Sequence, residues 1–179
     1  MRLVNALAAG ILLGISPSTA AEDSVELSWL QWGGAGRDFR SPAGQLASSW
    51  PEGGPEALWS RPLGEGHSAV LFEKGRLYTM HRVGDDEIVI CLDATSGNTL
   101  WETAYRSEYE GQRQHGTGPR STPLIVGDQI FTVGVTGRMH ALEKSDGKIL
   151  WSQDLWGDQF AGQTMYVRDE GQILAVDLG

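Results

Sequence analysis

Beyond residue 66 the apolar residues come in short runs, and turns containing glycine separate them. Runs of about four to eight residues, rich in β-branched and aromatic side chains and bounded in this way, predict strands. The first four are predicted at 67–72, 76–82, 87–93 and 98–105. Ile88 to Leu92 is continuously apolar rather than alternating, which predicts a strand covered on both faces. A helical repeat is excluded, because glycines and β-branched residues interrupt any 3.6-residue period.

The strand pattern recurs. Ile90-Cys91-Leu92-Asp93-Ala94-Thr95-Ser96-Gly97 through Leu100-Trp101 aligns with His140-Ala141-Leu142-Glu143-Lys144-Ser145-Asp146-Gly147 through Leu150-Trp151. Gly97 to Gly147 and Trp101 to Trp151 are each 50 residues, and the preceding strands are offset by 53. A partial third copy, Met165 to Arg168 and Ile173 to Gly179, closes the chain, and Ala57-Leu58-Trp59 echoes Ile149-Leu150-Trp151. Four short strands in a period of about 40 to 50 residues predict a β-propeller blade. Within each copy Gly97 or Gly147 occupies a turn that needs a left-handed backbone. Asp93 is placed to accept hydrogen bonds from turn amides. Trp101 and Trp151, four residues past the glycines, are expected to pack between neighbouring sheets. The copies amount to about three blades, whereas closed propellers have roughly four to eight. The expectation is the N-terminal part of a longer protein, or self-association if Gly179 is the natural end.

The first residues follow another pattern. Arg2 precedes a mostly apolar stretch from Leu3 to Ile15, and Ser18-Thr19-Ala20 puts small residues where a signal peptidase reads. This predicts a secretory signal peptide cleaved after Ala20 or Ala21. The stretch is too short to span a bilayer comfortably, and no cysteine follows it for lipid attachment. The expected organisation is a signal peptide at 1–20, an N-terminal lead-in segment at 21–56, and propeller repeats at 57–179. The expected location is the periplasm or outside the cell.

Composition narrows the function classes. With 40% hydrophobic and 21% charged residues, the 179-residue chain has the makings of a core. A formal net charge of -9 argues against nucleic-acid binding, which needs a surplus of lysine and arginine. The single cysteine, Cys91, excludes an internal disulfide framework and any zinc site built on several cysteines. It lies in the doubly covered strand and reads as an inert core thiol.

Candidate chemistry is sparse. His67, His81, His115 and His140 lack metal-ligand spacing and read as surface or strand-packing residues. His67 and Arg120 take near-equivalent places at the start of the predicted innermost strands, beside Ser68 and Ser121. Innermost strands line a propeller's channel, so these four are the channel-facing candidates for a ligand. Gly33 to Gly36 lacks the lysine and hydroxyl of a phosphate loop and reads as a turn. Asp85, Asp86 and Glu87 read as a solvated hairpin tip, and Glu108 and Glu110 as loop residues. Carbohydrate binding through Trp50 or Trp156 rests on composition alone. No catalytic set and no metal set is expected.

The segment from Leu92 to Trp101 resembles the repeat of the pyrroloquinoline-quinone (PQQ)-like β-propellers: Leu-Asp-Ala, a turn with threonine and glycine, then Leu-Trp. The second copy keeps Gly147, Leu150 and Trp151 but replaces the Asp-Ala start by Glu143-Lys144. Trp29-Leu30-Gln31-Trp32-Gly33-Gly34 with Arg37-Asp38 resembles the opening of secreted bacterial members, and Trp50-Pro51 and Leu58-Trp59 fit the same region. The resemblance implies an all-β propeller of four-stranded antiparallel blades. The family it points to has two functional kinds: quinoprotein dehydrogenases, which hold PQQ and calcium on the axis, and BamB-type propellers, which bind protein partners. The enzymes carry an adjacent cysteine pair, a catalytic aspartate and calcium-binding Glu, Asn and Asp. Here no cysteine pair exists, and no residue can be matched to that aspartate. The expectation is therefore a protein-binding or scaffold module without catalysis or cofactor, with protein partners and no transmembrane span after signal cleavage. PQQ and calcium belong to the alternative, a PQQ-dependent dehydrogenase of an alcohol or sugar.

Overall fold

The computed structural model describes residues 27–41, 46–109 and 116–155, and the backbone of 164–169 and 172–177. The expected signal peptide, Glu110, His115, Trp156 and Leu178-Gly179 lie outside the described residues.

The described chain is all-β. Two sheets follow one another, each four-stranded and antiparallel with strands in sequence order. The first contains β1 (Leu71–Glu73), β2 (Arg76–Val83), β3 (Asp86–Asp93) and β4 (Thr99–Arg106). The second contains β5 (Leu124–Val126), β6 (Gln129–Val133), β7 (Arg138–Glu143) and β8 (Ile149–Asp154). An antiparallel hairpin of β9 (Thr164–Asp169) and β10 (Gln172–Asp177) follows. These are two blades and part of a third in a partial propeller. Among the described residues no helix is long and apolar enough to cross a membrane.

The predicted innermost strands begin too early. His67 and Ser68 precede β1, and Arg120 and Ser121 precede β5. The reason is a competing partner. The His67 amide donates to the Pro119 carbonyl, and the Ala69 amide to Thr122 Oγ1, so the two lead-in stretches zip to each other before either joins its own sheet. Upstream residues close the free edges of both inner strands. Trp29 and Phe72 exchange two backbone hydrogen bonds, and the Ile125 amide donates to the Leu30 carbonyl. Exposed strand edges invite pairing with other chains, and this short crossing covers part of both.

The core lies between the blades. Leu71, Tyr78, Met80, Val89, Cys91 and Trp101 of the first blade form one cluster with Ile125, Ile130 and Leu142 of the second. Val89 to Leu92 are all buried, as a strand covered on both faces requires. Burial also raises the pKa of the Cys91 thiol.

One latch, made twice, fixes how the blades stack. Trp101 Nε1 donates to the Lys144 carbonyl at 3.1 Å, and Thr103 Oγ1 to the Gly147 carbonyl at 2.6 Å. One blade earlier, Trp59 Nε1 donates to the Ala94 carbonyl at 3.1 Å, and Arg61 to the Gly97 carbonyl at 2.8 Å. In both, a tryptophan and the residue two positions on grip the turn of the next repeat. The Ala57-Leu58-Trp59 echo is thus the gripping half of a blade contact. Gly97 and Gly147 have φ of 71° and 76°, and each lies beneath an indole ring. A bulge in the same place in both blades, between Cys91 and Leu92 and between Ala141 and Leu142, displaces the partner strand by one residue. It accounts for two adjacent apolar residues in an outer strand: Trp101 turns into the seam while Leu100 stays exposed.

Replacing Trp101 by phenylalanine keeps most of the ring area and deletes the indole N–H. The expected result is a loss of about 1–2 kcal/mol, read as a lower urea midpoint at unchanged slope.

Candidate functional site

Among the described residues, several buried polar side chains gather at the blade contact. Glu87, assigned above to a solvated hairpin tip, is fully buried, whereas Asp85 in the same run remains exposed. The correction has a simple cause. Glu87 begins the strand proper, and alternation turns its side chain into the seam, where the second blade covers it. Its Oε1 accepts the Val135 amide at 3.0 Å, at the turn joining β6 to β7.

The rings of Tyr105 of β4 and His140 of β7 meet across the seam with centroids 4.2 Å apart and planes tilted by 50°. His140 Nδ1 lies 2.7 Å from Ser152 Oγ. Thr132 stands directly across from His140 on β6. Thr132 Oγ1 and His140 Nε2 are buried without a hydrogen-bond partner among the described residues, and Glu87 Oε2 and Tyr105 OH are buried beside each other against Gly134. Burial holds His140 well below the usual histidine range, at about 4, and the Arg138 cation adds to the effect. Burial pushes the Tyr105 phenol far up, and the nearby Glu87 carboxylate reinforces it. The ring pair is therefore neutral at ordinary pH.

The other seam carries a second buried histidine. His81 Nδ1 accepts the Gly64 amide at 3.1 Å. Burial lowers its pKa, with Glu102 opposing and Arg61 assisting. Beside it Arg82, 3% exposed, donates to three carbonyls: Gly84 at 2.8 Å, Thr117 at 3.3 Å and Ser107 at 2.5 Å. One guanidinium thus ties both ends of the 107–117 connection to the first blade. Glu65 adds a tie, its carboxylate accepting the amide and hydroxyl of Thr117. Those bonds lower the Glu65 pKa.

The four channel-facing candidates fall on the zipped lead-in stretches. His67 and Arg120 are exposed. Ser68 Oγ donates to the Ala69 carbonyl at 3.4 Å, and Ser121 Oγ to the Val133 carbonyl. The structure brings the two stretches side by side and turns both serine hydroxyls toward backbone. Among the described residues no group of three or more His, Cys, Asp or Glu side chains could hold a metal ion. The imidazole and guanidinium suit a carboxylate but supply no oxygen for the calcium ion that accompanies PQQ, which takes about six or more, and both serine hydroxyls are bonded to backbone, so these residues do not fit the pair.

Of the repeat residues, Asp93 Oδ1 accepts from the amides and hydroxyls of Thr95 and Ser96, which lowers its pKa. Trp101 is 9% exposed, whereas Trp151 is 44% exposed beside Phe131.

A different surface is built at the lead-in. Trp32 and Phe39, 60% and 61% exposed, meet edge-to-face at 5.1 Å. They sit on a turn in which Arg37 and Phe39 have φ of 54° and 58°, the left-handed region that non-glycine residues avoid. Backbone bonds from Arg37 to Gly34 and from Phe39 to Gly33 hold the turn, and the Trp29 ring packs against Gly34. Grooves of about 460 and 290 Å³ flank it, sharing Gln31 and Leu124. In the sequence Trp32 is legible only as part of the N-terminal segment that resembles the opening of secreted family members, and its exposure is not.

Comparison with known proteins then decides the family. The family model of the outer membrane protein assembly factor BamB matches residues 85–178, more than half of the chain. The chain belongs to the BamB family. The matched stretch begins at the hairpin before Glu87 and runs through the second blade and the β9–β10 hairpin. Solved structures similar to this BamB-family chain include BamB from Moraxella catarrhalis, at 19% identity and a TM-score of 0.34 over 63% of this chain. A europium-containing methanol dehydrogenase is similar at 22% identity and a TM-score of 0.36 over 47% of this chain. The chain spans 46% of the first structure and 14% of the second. No curated protein matches it.

Proposed function

We propose that this chain is an exported scaffold that binds other proteins through its propeller surface and has no catalysis of its own. The observation that carries this reading is the BamB-family match over residues 85–178, since the family is named for an assembly factor. The polar seam supports it in a second way. Glu87, His140 and Arg82 are spent on the blade contact and on backbone, out of reach of a substrate. The 1–20 sequence pattern supports a periplasmic location, with 21–56 as the lead-in and 57–179 as the repeats.

The lead-in turn is the contact surface this reading favours. Two non-glycine residues in the left-handed region cost about 1–2 kcal/mol each. That cost is met to hold an aromatic pair in water, and exposed aromatic anchors are what protein interfaces use. A photo-crosslinking amino acid placed at Phe39 in producing cells is expected to give a discrete protein adduct, while the same group at Lys74 gives none. In parallel, the purified protein is titrated with PQQ and calcium. A saturable quinone spectrum with dye reduction would overturn the scaffold reading in favour of the dehydrogenase.

A further inference from the structure

His140 occupies the middle of the blade contact and is 3% exposed. The groups facing it come from every element packed around it. The Tyr105 ring packs on it at a tilt from β4, Ser152 meets Nδ1 from β8, and Thr132 lies opposite on β6. Glu87 of β3 stands by Tyr105 and is committed through Oε1 to the Val135 amide. On its own strand Arg138 lies 3.8 Å from Asp154, and its cation disfavours a second positive charge at His140. No carboxylate is hydrogen-bonded to either imidazole nitrogen among the described residues. A proton on this ring therefore puts a charge into the seam with no carboxylate hydrogen-bonded to it, the nearest seam carboxylate, Glu87, being set against Tyr105 and the Val135 amide, whereas an opened seam lets the imidazolium meet water.

We propose that His140 makes the contact between the two blades an acid-operated joint: protonation of its imidazole separates β7 from β4 and releases the Trp101 latch.

The direction follows from linkage. The closed seam favours neutral His140, so its full stability is present above the ordinary histidine pKa of about 6.5. That stability is lost progressively as pH falls, and the loss levels off near the depressed value of about 4. Over that interval the population of opened seam rises on the order of 100-fold. The opened form presents Trp101 and Tyr105, so an exported chain carrying this joint exposes an aromatic face in acid.

The test is hydrogen–deuterium exchange on the full chain at pH 7, 5.5 and 4, corrected for intrinsic rates. The expected result is a fall of about 100-fold in protection of β4 and β7 between pH 7 and 4, with the β2–β3 pairing retained. His140→Gln, which retains a polar contact to Ser152 but cannot titrate, is expected to abolish this fall. His81→Gln, in the other seam, is expected to leave it. An equal fall in His140→Gln overturns the proposal. So does a nuclear magnetic resonance titration of the unsubstituted protein in which His140 titrates near 6.5 while β4 and β7 stay protected. That measurement needs no variant to fold.

Discussion

Gly147→Ala is expected to lose about 3 kcal/mol of stability and roughly 10 °C in Tm. A Cβ at this position would lie 2.4 Å from Trp101 Cε3 and 2.8 Å from Thr103 Oγ1. The φ of 76° adds a strain that L-residues carry at about 1–2 kcal/mol. Overpacking a filled contact adds about 1–3 kcal/mol. Trp101 cannot slide away cheaply, because its N–H is bonded to Lys144 and its ring is packed in the seam. The control is Gly127→Ala. There φ is 58° but a Cβ meets nothing within 4 Å, so only the strain remains. Urea and thermal melts of the two variants separate collision from strain. Equal losses would show that the indole is not seated on the turn.

Arg82→Met is expected to cost about 3 kcal/mol, with the damage concentrated at one connection. The substitution keeps apolar bulk but leaves the Ser107, Thr117 and Gly84 carbonyls without their shared donor. A buried unsatisfied polar group costs about 1–3 kcal/mol, and water entering the space recovers part of it. Arg82→Lys recovers little, because one ammonium does not reproduce the planar fork that reaches three separate carbonyls. Exchange of the Ser107 and Thr117 amides should accelerate in both variants, while the β6–β7 pairing stays protected. Unchanged protection at Ser107 and Thr117 would remove Arg82 from its role as the tie.

Much of the fold was legible because it rests on local chemistry. Gly97 and Gly147 mark turns that only a residue without Cβ fills comfortably, and their 50-residue spacing gave the repeat and the blade. The Leu-Trp pair after each turn was legible as a marker but not as a bulge, because strand register depends on the partner strand. The start of β1 was misplaced for a related reason. Nothing in the sequence near His67 announces that its amide bonds to Pro119 instead of to its own sheet. Glu87 was misassigned because an acidic run reads as solvated until a second blade covers one of its members.

The sequence alone therefore determined the all-β class, the blade period, the turn positions, the lone buried thiol and the family resemblance. Each of these follows from residues within one repeat or from its recurrence along the chain. Tertiary structure alone decided which polar groups share the seam, because Glu87, Tyr105 and His140 come from different strands of two blades. It also decided that the Trp32–Phe39 pair is displayed in water. Burial and proximity belong to the stacked sheets, and a charge or a hydroxyl acquires its energetic meaning only when a neighbour removes its water.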